Sequence, residues 1–262
     1  MKHVVSAAAA AIAVSSLALI TTLPTLAQAP AATAPAYRGP RTADGKPNLN
    51  GIWQAFSTAH WNLEAHTAEP GIPAGQSVVE GNDIPYQPAA LAQRRKNFET
   101  RTTADPLTKC HLPGVPRITY IPFPFQIVQT PKYTSMLYEY STVTRIIYTD
   151  GSPHPPPLDL WMGDSRARWE GDTLVVDVTQ FNDMTWFDMA GNFHSDALHV
   201  IERYTPLDAD HIRYEATIED PKVFTRPWKM NILLYRRLEP NLQILDYVCV
   251  DFVQRKLLTT SK

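Results

Sequence analysis

The sequence predicts a mainly β chain, an antiparallel β-barrel of 8–10 strands with one helical insert. Three observations carry this. From Arg117 onward, β-branched and aromatic residues alternate with polar ones in strand-length runs. The runs are punctuated by Pro, Ser-Thr, Asp-Gly and Glu-Gly-Asp, which are turn signals. Only one segment has helical character, and strands and helices do not alternate as a parallel sheet would require.

Taken in order, the chain begins Met1-Lys2-His3 and then runs from Val4 to Ile20 as an apolar, alanine-rich stretch. That is the layout of a secretory signal peptide over residues 1–27. Small-x-small sites end at Ala27 and Ala29, and Pro30 after the second disfavours it, so cleavage is expected after Ala27. Residues 28–47, rich in Ala, Pro and small polar side chains, read as a flexible leader. A single domain is expected over 48–262, with localisation periplasmic or secreted. No second apolar run is long enough to span a membrane, so no span is expected once the signal is removed.

Asn48 to Gln54 (N-L-N-G-I-W-Q) is a short apolar segment opening on glycine and carrying Trp53. Residues 57–105 loosen into Pro, Gly and Ala, with His60 and His66 reading as loop histidines. Within this stretch 87–101 reads as a helix, since Pro88 suits a first turn and basic residues gather towards the far end. An insert of this length usually lids a pocket or covers a surface. Strands are then expected in 117–131, 133–140, 142–151, 165–181, 197–206, 211–220, 228–238 and 242–252. Glu170-Gly171-Asp172 forms a hairpin turn.

Composition narrows the partners. Forty-four per cent apolar residues suffice for a sizeable core. A formal charge of -2, or -3 once Lys2 is removed, with both signs interspersed, argues against nucleic acid and anionic membrane surfaces. Cys110 and Cys249 are the only cysteines. In an oxidising compartment they invite a bridge, for which the chain-entropy model gives roughly 4 to 5 kcal/mol; buried free thiols are the alternative.

Strand parity sorts the ionisable groups. Leu198, Val200, Glu202 and Tyr204 share one face of their strand, and His199, Ile201 and Arg203 the other. Both faces mix apolar and charged groups, as the wall of a partly polar lumen would. His154 stands in Asp150-Gly151-Ser152-Pro153-His154-Pro155-Pro156-Pro157, a loop with little conformational freedom. His194 and His199 flank Ser195 and Asp196. One imidazole oriented by a carboxylate is enough for proton abstraction. Charged groups inside apolar strand patterns, among them Arg145, Glu139 and Glu202, must find partners if buried. No G-x-S-x-G context surrounds Ser165 or Ser195, and phosphate loops and dinucleotide-binding glycines are absent.

Gly51-Ile52-Trp53 resembles the opening strand of the lipocalin-like, or calycin, barrels. The resemblance implies that Trp53 packs beneath a basic side chain from a late strand, with Arg236, Arg237 and Arg255 as the candidates. The chain also resembles a family of uncharacterised exported bacterial proteins. The matching pieces are G-K-P-N-L-N-G-I-W, C-H-L-P-G-V-P-R, R-I-I-Y-T-D-G-S-P-H-P, R-W-E-G-D-T-L-V-V-D, F-H-S-D-A-L-H-V-I-E-R-Y, T-I-E-D-P and D-Y-V-C. They cover most of residues 45 to 252, and the likeness implies an exported one-domain protein without implying a reaction.

The expected function is acid–base chemistry without an organic cofactor on a small apolar or ring-bearing substrate, as a lyase, isomerase or hydrolase. His154 or His194 would be the base and His199 with Glu202 its orienting or acid partner. Arg145 with Tyr148 would stabilise negative charge. The alternatives are a lipocalin-like small-molecule binding protein without catalysis, and a metal-dependent enzyme using His154, His194 and His199.

Overall fold

The computed structural model describes residues 37–249. The expected signal peptide, the first part of the leader and Arg255 lie outside the described residues. Nine strands close into one barrel: β1 (Gly51–Ala55), β2 (Phe125–Gln129), β3 (Tyr133–Tyr138), β4 (Thr144–Tyr148), β5 (Asp164–Glu170), β6 (Thr173–Thr179), β7 (His199–Pro206), β8 (His211–Glu219) and β9 (Trp228–Arg236). They follow chain order around the wall, and β9 pairs with β1 to close it.

The expectation of an antiparallel barrel needs one correction. β4 and β5 run parallel, through only two register pairs, Ile147 with Ser165 and Tyr148 with Arg166. The connection 149–163 contains Pro153 and Pro155 to Pro157, which cannot donate the ladder hydrogen bonds of a hairpin. The chain therefore loops outward and returns to start β5 beside the end of β4. Gln180 ties this loop down, accepting from the Leu158 amide at 3.1 Å and donating to the Pro155 carbonyl at 2.8 Å.

Two further strand expectations change. Arg117 to Thr119 form a 3₁₀ turn, and β2 begins only at Phe125. Residues 242–249 form no strand but a strap, bridged at Tyr247 to Tyr140 and anchored where the Leu245 amide donates to Glu139 at 3.0 Å. Cys110 and Cys249 form a disulfide, with Cα atoms 5.6 Å apart.

Helix α1 (Pro88–Ala104) starts with proline in its first turn and runs three residues beyond the expected end. Asp105 follows it, capping the next turn at Leu107 and gripping the Arg117 guanidinium through bonds of 2.8 and 2.7 Å, both groups buried. The helix approaches the 183–198 loop at Gly191, whose φ is +85° and whose missing side chain leaves room for Asn97. The insert between β1 and β2 adds Leu63, Ile84, Ile118, Tyr120 and Ile121 to the barrel core. It is a packed cap on the barrel rather than a free lid.

The Gly-x-Trp segment has a local explanation. The Arg236 guanidinium lies over the Trp53 ring, 4.2 Å from its centre, and donates to the Asn50 carbonyl. Gly51 has φ +135°, a conformation that L side chains rarely adopt, so glycine is required there, and its bareness leaves room for the guanidinium. Of the three candidate arginines, Arg236 covers this ring. The leader is not loose throughout: from Tyr37 on it is pinned, because the Tyr37 amide and Arg41 both donate to Asp172 at 2.9 Å.

Asp188, fully buried behind the helix, accepts from the Leu63 amide and from Asn192. Burial pushes its carboxyl up from the usual 3.8 to about 6, against the pull of those hydrogen bonds. A raised carboxyl binds its proton more tightly folded than unfolded, so the stability Asp188 contributes is fully present below about pH 4 and is lost as pH rises through about 6. Two units correspond to about 3 kcal/mol. In denaturant unfolding between pH 3.5 and 7, the wild type should lose stability relative to Asp188→Asn as pH rises. Parallel curves for the two proteins would contradict it.

Candidate active site

The outer wall of β5 to β8 carries most of the charge that could do chemistry. Residues two apart on a strand face the same way. On β5 the inward positions are Ser165, Ala167 and Trp169, leaving Asp164 and Arg166 outward. On β6, Leu174, Val176 and Val178 fill the core and Asp177 points out. On β7, Val200, Glu202 and Tyr204 are buried, so His199 is outward. Its cross-strand partner is Glu219 on β8, and Arg166 pairs with Asp177. Five ionisable side chains from four adjacent strands therefore share one patch.

The 149–163 loop lays His154 onto it, and the result is a continuous chain of alternating rings and carboxylates. His199 contacts Glu219 through Nδ1 at 3.1 Å and Asp177 through Nε2 at 2.8 Å. Asp177 also faces His154 Nε2, at 3.7 Å. His154 Nδ1 bonds Asp164 at 2.6 Å. Arg166 donates to both oxygens of Asp164, at 2.6 and 2.9 Å, and to the Ser152 hydroxyl in the His154 loop at 2.6 Å. Burial raises the Asp164 carboxyl, but the bonds from Arg166 and His154 outweigh it and hold the group below the usual carboxylate range.

This geometry assigns hydrogens by elimination. Asp164, an ionised carboxylate held by Arg166, accepts from His154 Nδ1. His154 Nε2 is buried and has no hydrogen-bond partner among the described residues, the Asp177 carboxylate standing beyond bonding distance at 3.7 Å. His199 is held more closely, with a carboxylate within hydrogen-bond distance of each nitrogen, Glu219 at Nδ1 and Asp177 at Nε2. Two imidazoles thus flank a common carboxylate, an arrangement that can pass a proton between them.

Four of the six expected site residues are not in this patch as expected. Arg145 and Glu202 pair inside the barrel, 4% and 0% exposed. Ser165 accepts from Arg145 at 3.0 Å, and the Tyr204 and Tyr214 hydroxyls donate to Glu202 at 3.0 and 2.9 Å. Burial opposes the Arg145 charge, yet Glu202 keeps its pKa well above the ordinary value. Glu202 therefore cannot partner His199, because neighbouring odd and even positions of β7 point to opposite sides of the wall. Tyr148 is outward, 39% exposed, with the Arg166 guanidinium 4.4 Å above its ring. It braces Arg166 and does not meet Arg145.

His194 is buried away from the patch, between Phe181 and Phe187. Its Nδ1 donates to the Ser195 carbonyl at 2.9 Å and its Nε2 accepts from the Thr185 hydroxyl at 2.7 Å. Burial lowers its pKa despite the Ser195 bond, so it is a neutral structural ring. His194→Ala should cost about 1 to 3 kcal/mol from the orphaned hydroxyl alone. The loss should appear in denaturant unfolding, with turnover per folded molecule retained.

Asp177 and Glu219 were not singled out from the sequence, although V-V-D-V alternation already places Asp177 opposite the apolar face of β6. What was missing was the strand order that sets it beside His199. The three-histidine metal site does not form, since His194 stands apart. Among the described residues, no group of three or more His, Cys, Asp or Glu side chains is arranged to hold a metal ion. No helix among them is long and apolar enough to cross a membrane.

No protein-family model, curated protein or solved structure matches this chain. The functional reading therefore rests on the site itself.

Proposed function

We propose that the chain is an exported enzyme, periplasmic or secreted, that performs acid–base chemistry on a small apolar or ring-bearing molecule without an organic cofactor. Elimination, isomerisation and hydrolysis are the reaction classes that fit. The observation carrying this is His154, with Nδ1 fixed by an arginine-held carboxylate and Nε2 buried and unpartnered. His154 takes a proton from substrate or from a water it activates, and the resulting imidazolium is stabilised by Asp164 and Asp177. His199 returns a proton through Asp177 and is recharged from the Glu219 side. The Cys110–Cys249 bridge supports an oxidising compartment.

The test is turnover of a panel of small ring-bearing esters, lactones and β-hydroxy acids by the wild type, Asp177→Asn and His154→Gln. Loss of turnover in both variants with cooperative unfolding retained supports the reading. Turnover that survives both removes it and leaves the alternative, a small-molecule binding protein. Stoichiometric zinc, iron or copper in the purified wild type would replace acid–base catalysis by metal chemistry.

A further inference from the structure

Glu219 has a second neighbourhood besides His199. It forms one edge of a pocket of about 290 Å³ whose other lining residues are Asp220, Pro221, Phe224, Thr225, Arg226 and Pro227. Its walls are apolar and stiff. Two proline rings have fixed backbone torsions. Phe224 is buried, donates its amide to the Asp220 carbonyl at 2.8 Å, and packs edge-on against Trp228 with ring centres 5.6 Å apart. The volume lies at the small end of ligand sites and suits one ring with a short arm.

The polar groups differ in availability. The Asp220 carboxylate is occupied by the Ser195 amide and hydroxyl, at 2.6 and 2.9 Å, and by the Lys222 amide at 3.0 Å. Arg226 is exposed, and the only hydrogen bond its guanidinium makes among the described residues is a long one, 3.3 Å, to the adjacent Pro227 carbonyl. The pocket therefore offers an apolar body, a cation free to pair at its rim, and, on its Glu219 edge, the end of the imidazole–carboxylate chain.

We propose that this pocket seats the apolar body of the substrate, a single ring or compact branched alkyl group bearing a carboxylate that pairs with Arg226, with its reacting arm directed past Glu219 towards the imidazole–carboxylate chain. The direction of the reacting arm rests on the acid–base reading; the binding site does not.

The test is amide NMR titration of the whole mature protein with benzoate, with benzyl alcohol as the uncharged counterpart. Benzoate should shift the amides of Glu219, Phe224, Thr225 and Arg226, and bind more tightly than benzyl alcohol. Arg226→Gln, at an exposed position, should weaken benzoate about two- to fivefold, the size of an exposed ion pair, and leave benzyl alcohol unchanged. The same shifts should persist in His154→Gln. Absence of shifts at those amides, or equal weakening of both ligands by Arg226→Gln, overturns the proposal. Benzoate seated here alongside turnover indifferent to His154→Gln would keep the pocket and remove the acid–base reading. His154-dependent turnover without benzoate shifts would do the reverse.

Discussion

Replacing His154 with glutamine is expected to lower kcat/KM by about 10²- to 10⁴-fold, the usual contribution of a positioned proton-transfer group. Glutamine keeps a polar side chain of similar reach on the loop but supplies no basic nitrogen. The fold should tolerate the change, because His154 is partly exposed and sits on a loop held independently by Gln180 and by the Arg166–Ser152 bond. The cost to stability is that of one partly exposed hydrogen bond to Asp164, about 0.5 to 1.5 kcal/mol. Steady-state kinetics together with denaturant unfolding separates the two effects. Activity retained within a small factor would mean that the unpartnered nitrogen is a packing accident and that His154 merely closes the loop.

Replacing Arg145 with methionine should give the largest loss of stability, about 3 to 5 kcal/mol, the penalty for breaking a buried ion pair from one side. Glu202 would be left fully buried with only the Tyr204 and Tyr214 hydroxyls for company. For a chain of this size, about 2 to 4 °C is lost per kcal/mol, so Tm should drop by about 6 to 20 °C. Adding Glu202→Gln removes the stranded charge and keeps an acceptor for the tyrosines, so the double variant should regain a large part of the loss. The measurement is Tm and denaturant midpoint of the single and double variants. A double variant no more stable than Arg145→Met would show that repacking, not the uncompensated charge, causes the defect. Turnover per folded molecule should be unaffected in both, since the pair lies inside the wall and the imidazole–carboxylate chain outside it.

These two outcomes reverse the roles that Arg145 and Glu202 hold when read from sequence. In sequence the two look like site residues because they are charges inside apolar strand patterns. In the barrel they pair with one another across the interior, and the expectation of a partner for every buried charge is met without a substrate. The bland explanation and the catalytic one share the same sequence signal, and only burial separates them.

The sequence by itself determined the class of fold and much of its punctuation. Most of the runs of alternating residues became strands, the start of 117–131 and the stretch 242–249 excepted; Pro88 opened the helix, Glu170-Gly171-Asp172 turned the β5–β6 hairpin, and Cys110 found Cys249. It also sorted His199 and Glu202 onto opposite faces of β7. A period of two divides a strand into two sets of residues but does not say which set is inside when both contain charges. That choice, and the meeting of His154 with Asp164, Asp177 and His199, belonged to the tertiary structure. Contacts between strands depend on register, closure and the path of the proline-rich loop, which are set by packing over the whole barrel rather than by neighbours along the chain.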